Sequence, residues 1–305
     1  MQKRALFFGL ACILLLSFPS LTGSSEEDDW RLVLTTEIKL ADYSAGIPGV
    51  SVAGFLNESF GIAICSHGEI RYTNDGGKTW PKANYPNFPA DLDGLEILDA
   101  ETAWCCGASN LRVTYDGGRN WEALPNYSAG GRHLSFINRS VGWFGNVRSV
   151  ALTQDGGRTW TQVPLPQDVK ENIMAIQLAS MDNGYVLLNN GLLYRTKDGG
   201  KHWSAIRLPL KGRAMVDLIP NKPIEAVRFL DDLHGVVVLY AAKPRAGFFI
   251  LETEDGGRRW REENLPREPE VRLGNVFLSR DARYLTINDL GKNRILVFKH
   301  LFKHN

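Results

Sequence analysis

The sequence predicts an all-β fold, a six-bladed β-propeller, from three observations. One eight-residue phrase returns five times at intervals close to the length of a propeller blade. Short apolar segments of strand length and alternation precede each copy. Helical periodicity is almost absent from the rest of the chain, which fits four-stranded sheets repeated around an axis.

The phrase is first seen as Thr73-Asn74-Asp75-Gly76-Gly77-Lys78-Thr79-Trp80. Thr114 to Trp121, Thr153 to Trp160, Thr196 to Trp203 and Thr253 to Trp260 share its form, T-x-D-G-G-[KR]-x-W. Successive tryptophans lie 41, 39, 43 and 57 residues apart. The chemistry is that of a hairpin turn. Paired glycines adopt φ > 0 without a Cβ clash, and the aspartates (Asp75, Asp116, Asp155, Asp198, Asp255) accept hydrogen bonds from the backbone N–H groups of the turn. The tryptophans (Trp80, Trp121, Trp160, Trp203, Trp260) open the next strand and fold over the turn. Five residues before each Asp stands an apolar residue, Ile70, Leu111, Val150, Leu193 or Ile250, marking a strand with a buried face. Parts that recur in every repeat build the scaffold, so these aspartates are expected to be structural.

A second shared phrase lies earlier in each unit, as in Phe55-Leu56-Asn57…Gly61-Ile62, Phe136-Ile137-Asn138…Gly142-Trp143 and Phe229-Leu230-Asp231…Gly235-Val236. Each unit thus reads as four strands. A sixth unit starts at Val276-Phe277-Leu278 and ends at Ile295-Leu296-Val297-Phe298 without an Asp-Gly-Gly turn. Its missing strand is expected from the other end of the chain, at Trp30-Arg31-Leu32-Val33-Leu34, so that the two termini close the ring and cover an open edge. A seventh blade is less favoured, because Leu32 to Val52 provides about half of the ~40 residues required.

The fifth unit is longer than the others. Trp203 to Val227 spans 24 residues, against 13 to 16 in the first three comparable gaps. The added segments, Arg207 to Pro223 and Ala241 to Gly247, are expected to be loops carrying binding function.

Residues 1–23 read as a signal peptide: Lys3 and Arg4, an apolar run from Ala5 to Phe18, then small or polar residues to a cut near Gly23. Residues 24–305 are expected to form a single propeller domain. The protein should be exported, to the periplasm or the extracellular space, or tethered to the membrane if the signal is not cleaved. Without Lys3 and Arg4 the chain holds 33 basic and 34 acidic residues, so a generally basic nucleic-acid binder is not indicated. The odd set Cys65, Cys105 and Cys106 is not a disulfide framework. Buried thiols are the expectation, with one bridge from Cys65 as the alternative.

T-x-D-G-G-[KR]-x-W resembles the Asp-box, or BNR repeat. The full unit, with its G-W or G-Y phrase, is similar to the photosystem II assembly and stability factor family over roughly residues 50–300. The resemblance implies a non-enzymatic protein-binding scaffold whose partner is a protein, such as a segment of a membrane protein. Members are usually described as seven-bladed, from which a count of six departs. Asp-boxes also occur in sialidase-like glycoside hydrolases and glycan-binding modules, which form the alternative. Sialidase chemistry needs an arginine cluster and a Tyr–Glu pair. Here Gly46-Ile47-Pro48 has glycine where the family's first arginine would stand, and Tyr284 and Glu270 are the available candidates for the pair.

Residues that enter the innermost strand of each blade should rim the central channel. Arg132, His133, Arg228 and Arg272 are the binding candidates, together forming an arginine-lined face for an acidic segment. The recurrent Lys78, Arg119, Arg158, Lys201 and Arg258 should form a basic outer ring set by turn structure. His67, His202 and His234 have no neighbouring ligands in sequence, and no metal or cofactor is expected.

Overall fold

The computed structural model describes residues 29–38, 49–85, 92–107, 110–125, 131–215, 226–243, 247–263, 265–266, 274–289 and 294–301. The expected signal peptide, Arg272 and Glu270 lie outside the described residues. Six antiparallel sheets stand as blades around one axis, and the innermost strand of each packs against those of its two neighbours. Blade 1 holds Val50–Phe55, Gly61–Cys65 and Ile70–Thr73. Blade 2 holds Leu92–Ile97, Ala103–Gly107, Asn110–Thr114 and Glu122–Leu124. Blade 3 is His133–Phe136, Gly142–Gly145, Val150–Thr153 and Thr161–Val163, and blade 4 is Ile173–Leu178, Gly184–Leu188, Leu192–Thr196 and Ser204–Arg207.

Blade 5 has Ala226–Phe229 innermost, then Gly235–Lys243, Gly247–Thr253 and Arg261–Glu263. Its insertion adds a short strand, Ala214–Met215, which pairs with the far end of Gly235–Lys243 beyond the reach of the inner strand. Arg213 ties this added segment down. Its guanidinium forms a fork with Glu262, at 2.6 and 3.0 Å, and lies over the Phe249 ring.

Blade 6 closes the ring as the sequence predicts. Gly274–Leu278, Tyr284–Asp289 and Arg294–His300 are completed by Trp30–Thr36, which pairs antiparallel to Arg294–His300 with Trp30 opposite His300. Trp30 is fully buried and stacks on the His300 ring at 4.7 Å.

Blade 1 departs from the expected four strands. Its outer position is reduced to a bridge between Arg71 and Lys82. Pro81 follows Trp80 where the other blades have Glu122, Thr161, Ser204 or Arg261. Lacking an N–H, it accepts from Tyr72 through its carbonyl but donates nothing, and the ladder breaks off there.

The cores lie between blades, and the shared aromatic phrase supplies them. Trp104 of blade 2 stacks on Phe136 of blade 3, with ring centroids 3.7 Å apart, and Tyr185 of blade 4 stacks on Phe229 of blade 5 at 4.0 Å. Cys65, Cys105 and Cys106 are free thiols buried in these layers, and burial pushes the Cys65 thiol up to about 12.

Candidate functional site

The five repeated turns share one hydrogen-bond pattern at the lower face of the ring. In blade 3 the Thr153 hydroxyl donates to Asp155 Oδ1 (2.8 Å) and accepts from the N–H of Gly157 (2.9 Å). Asp155 Oδ1 also accepts the backbone N–H of Thr159, and Oδ2 accepts its hydroxyl at 2.6 Å. In the other blades the partner of Oδ2 is Thr79, Asn120, His202 or Arg259. The variable position before each tryptophan is therefore a donor in all five boxes, a regularity that the different residue types conceal in the sequence. These bonds hold Asp75, Asp155 and Asp198 down at about 2. Each carboxylate is engaged by its own turn.

Trp121, Trp160, Trp203 and Trp260 each donate Nε1 to the carbonyl of the second box glycine, at 3.0 to 3.1 Å. Trp80 differs. It donates instead to the Thr36 hydroxyl, which itself donates to Gly77 O at 2.6 Å, so the closing strand is stitched into the first box. Of the outer-ring cations, Arg119 and Arg158 curl back onto the carbonyls of Asp116 and Asp155.

Around the axis, the next-to-last residue of each inner strand forms one tier: Gly54, Glu96, Ser135, Gln177, Arg228 and Phe277. Three of these side chains cap a neighbour. Glu96 accepts the N–H of Phe136, Ser135 that of Leu178 and Gln177 that of Phe229. Glu96 Oε2 also meets Arg228 Nη2 at 2.7 Å, and both side chains are buried. Blades 2 and 5 are opposite in a ring of six, so this pair crosses the axis. Arg280 of blade 6 crosses to the opposed blade 3, bonding the carbonyls of Phe136 and Ile137. Burial raises the Glu96 carboxyl, and the two guanidinium groups oppose that shift.

Above these ties the channel narrows to a cavity of about 50 Å³, which has room for a few waters. Arg132, His133 and Arg228 all line it. His133 is buried and its Nε2 has no hydrogen-bond partner. Burial and the neighbouring Arg132 lower the imidazole to about 4, so it is neutral at pH 7. Arg228 sits deeper than its sequence position implies, at the end of its strand and inside the cross-axis pair. Arg132 and His133 stand at the upper rim. Tyr284 lies elsewhere, between blades 6 and 1, packed with Trp80 and Val50 and beneath Lys299.

Residues 126–221 match the model of the photosynthesis system II assembly factor Ycf48 family. The photosystem II assembly protein Ycf48 of Thermosynechococcus vestitus is 32% identical over 218 residues, which are 70% of this chain and 58% of that protein. This is a photosystem II assembly factor-like β-propeller. The chain spans less than two thirds of the length of that curated relative. Among solved structures, Ycf48 bound to a D1 peptide superposes with a TM-score of 0.52 at 14% identity, covering 92% of this chain and 98% of that one. A streptogramin B lyase superposes with a TM-score of 0.58 at 12% identity, covering 88% and 97%. At these identities the superpositions establish the shared ring, and the assembly-factor likeness rests on sequence.

Proposed function

We propose that this assembly factor-like propeller is a non-catalytic scaffold that holds a peptide segment of a partner protein across its upper face. A newly made membrane protein is the kind of partner that the family likeness favours. The observation that carries this reading is the channel mouth. Arg132 at the rim suits a carboxylate, and the unpartnered Nε2 of neutral His133 accepts an N–H, both of which a peptide supplies. The cavity is too small to swallow a substrate, so binding spreads over the loops around it. A Ycf48 with a D1 peptide bound supports a peptide as the kind of ligand. A non-catalytic role is favoured because the five repeated carboxylates are all committed to turns and Tyr284 is packed between blades. Export, inferred from residues 1–23, would bring the scaffold to the envelope.

Affinity capture from the native envelope fraction tests the reading. The intact protein should retain a partner that Arg132→Ala and Arg272→Ala, separately or together, lose by tenfold or more. Equal recovery by the variants would remove the arginine face from the account, and an empty capture with the intact protein would remove the scaffold itself.

A further inference from the structure

The repeat provides its own control for the lower face. The turn joining the first two strands is the same five-residue loop in blades 1 to 5, closed by an N–H to carbonyl bond from Leu56 to Phe60, Leu98 to Thr102, Ile137 to Val141, Ala179 to Asn183 and Leu230 to His234. In blades 1 to 3 the first residue, Leu56, Leu98 or Ile137, is tucked partly against the core. The exposed third and fourth positions there are Glu58 and Ser59, Ala100 and Glu101, Arg139 and Ser140. Blades 4 and 5 break this rule. Met181 takes the third position of its turn and is 42% exposed, while Leu230 and Leu233 are 44% and 51% exposed. Of the large apolar side chains that are exposed among the described residues, most lie in these two adjacent turns.

The two turns are held side by side. Gln177 exchanges both of its amide bonds with the backbone of Phe229, the residue before Leu230. Arg195 of blade 4 reaches both the carbonyl and the carboxylate of Asp232 in blade 5, and Lys197 takes the second oxygen at 2.8 Å. Their charge is one-sided as well. They carry Asp182, Asp231 and Asp232 and no Lys or Arg, whereas the corresponding turns of blades 3 and 6 carry Arg139, Arg280 and Arg283. Asp232 is matched by Arg195 and Lys197, and Asp231 accepts the N–H groups of Leu233 and His234 and meets the His234 ring at 2.7 Å, so Asp182 remains as negative charge beside Met181.

We propose that Met181, Leu230 and Leu233 form a second docking surface, on the lower face of blades 4 and 5, for a peptide segment that pairs apolar side chains with Lys or Arg. The apolar groups supply the area and Asp182, next to Met181, selects the cation. The patch is small, so the occupant is a short segment held weakly. The cross-axis ties of Glu96 and Arg280 separate this face from the channel mouth. The surface is thus distinct from the upper-face site, and a propeller carrying both can hold two segments at once.

A random dodecapeptide display library, selected on the immobilised protein, is the test. The expected consensus combines aliphatic or aromatic residues with Lys or Arg. Synthetic peptides carrying it should bind at least tenfold more weakly to Met181→Ser/Leu230→Ser/Leu233→Ser and equally well to Arg132→Ala. Asp182→Lys, an exposed single change, should also weaken them and serves as the second variant if the triple one folds poorly. Peptides that ignore both variants, an acidic consensus, or no enrichment would overturn the proposal. So would a monomer–dimer equilibrium abolished by the triple variant, which would make the occupant a second copy.

Discussion

Glu96 and Arg228 are 132 positions apart in sequence and hang from opposed blades, yet their side chains meet at 2.7 Å on the axis of the ring. Breaking such a pair from one side leaves a buried charge without its partner, which costs about 3 to 5 kcal/mol. Arg228→Ala should therefore lower the urea midpoint strongly, whereas Glu96→Gln with Arg228→Met should recover most of the loss. Equal midpoints for the single and the double variant would show that the pair is not coupled. Loss of partner binding in an Arg228 variant would also report disorder of the cross-axis pair, which is why Arg132 is the cleaner probe of the upper face.

The box aspartates predict an acid limb of stability. Thr79 and Thr159, through their hydroxyls and amides, hold Asp75 and Asp155 near 2, below the ordinary 3.8. A carboxyl that binds its proton more weakly when folded stabilises the fold above its unfolded pKa and ceases to do so as pH falls through the folded one. Thermal midpoints should drop between about pH 4 and pH 2, and Asp155→Ala should make that drop shallower. An unchanged slope in the variant would mean that the box bonds do not survive in solution.

The ring, its six blades and its closing strand were legible because repetition multiplies a weak local signal. Five Asp-Gly-Gly turns fix the hairpins, and Trp30 to Leu34 was the one apolar strand left without a sheet. The axis was far less legible. Glu96, Ser135, Gln177 and Arg228 occupy one tier, but that register depends on where each inner strand ends, and their differing chemistry hides the equivalence. Nothing local announces that Glu96 and Arg228 face each other, since the relationship is created by having two blades between them on either side. Pro81 was visible in the sequence, and its removal of a ladder donor in blade 1 could have been foreseen.

The glycine of the G-W and G-Y phrase has a packing reason that makes a third prediction. A methyl group placed on Gly184 would overlap the indole ring of Trp143 from the preceding blade. Trp143 is itself fully buried, so the ring has little room to withdraw. Gly184→Ala should cost about 1 to 3 kcal/mol as overpacking, and Trp143→Phe in the same chain should relieve part of it. Chemical denaturation of the two single variants and the double one measures the coupling. Additive losses would place the strain somewhere other than between blades 3 and 4.

Where the termini meet, one guanidinium serves three carboxylates. Arg261 lies 2.7 Å from Glu263, 3.3 Å from Glu252 and 3.4 Å from Asp29, while His300 Nε2 approaches Glu252 at 3.1 Å and Trp30 Nε1 donates to the same oxygen. Even with His300 charged, one negative charge is in excess. Burial, and a hydrogen bond shared with Asp29, raise the Glu263 carboxyl to about 7. A group that binds its proton more tightly when folded contributes stability that is present below its ordinary value near 4.5 and is lost as pH rises toward 7. The closing strand should thus be seated more firmly at pH 5 than at pH 7.5. Hydrogen exchange, corrected for intrinsic rates, should show greater protection of the Trp30–Thr36 amides at the lower pH, and Glu263→Gln should remove most of the difference. Protection that rises with pH in the intact protein would mean that the excess charge is dispersed by solvent, and that the strand is held by its ladder, the Trp30–His300 stack and the Thr36 bonds to the first box.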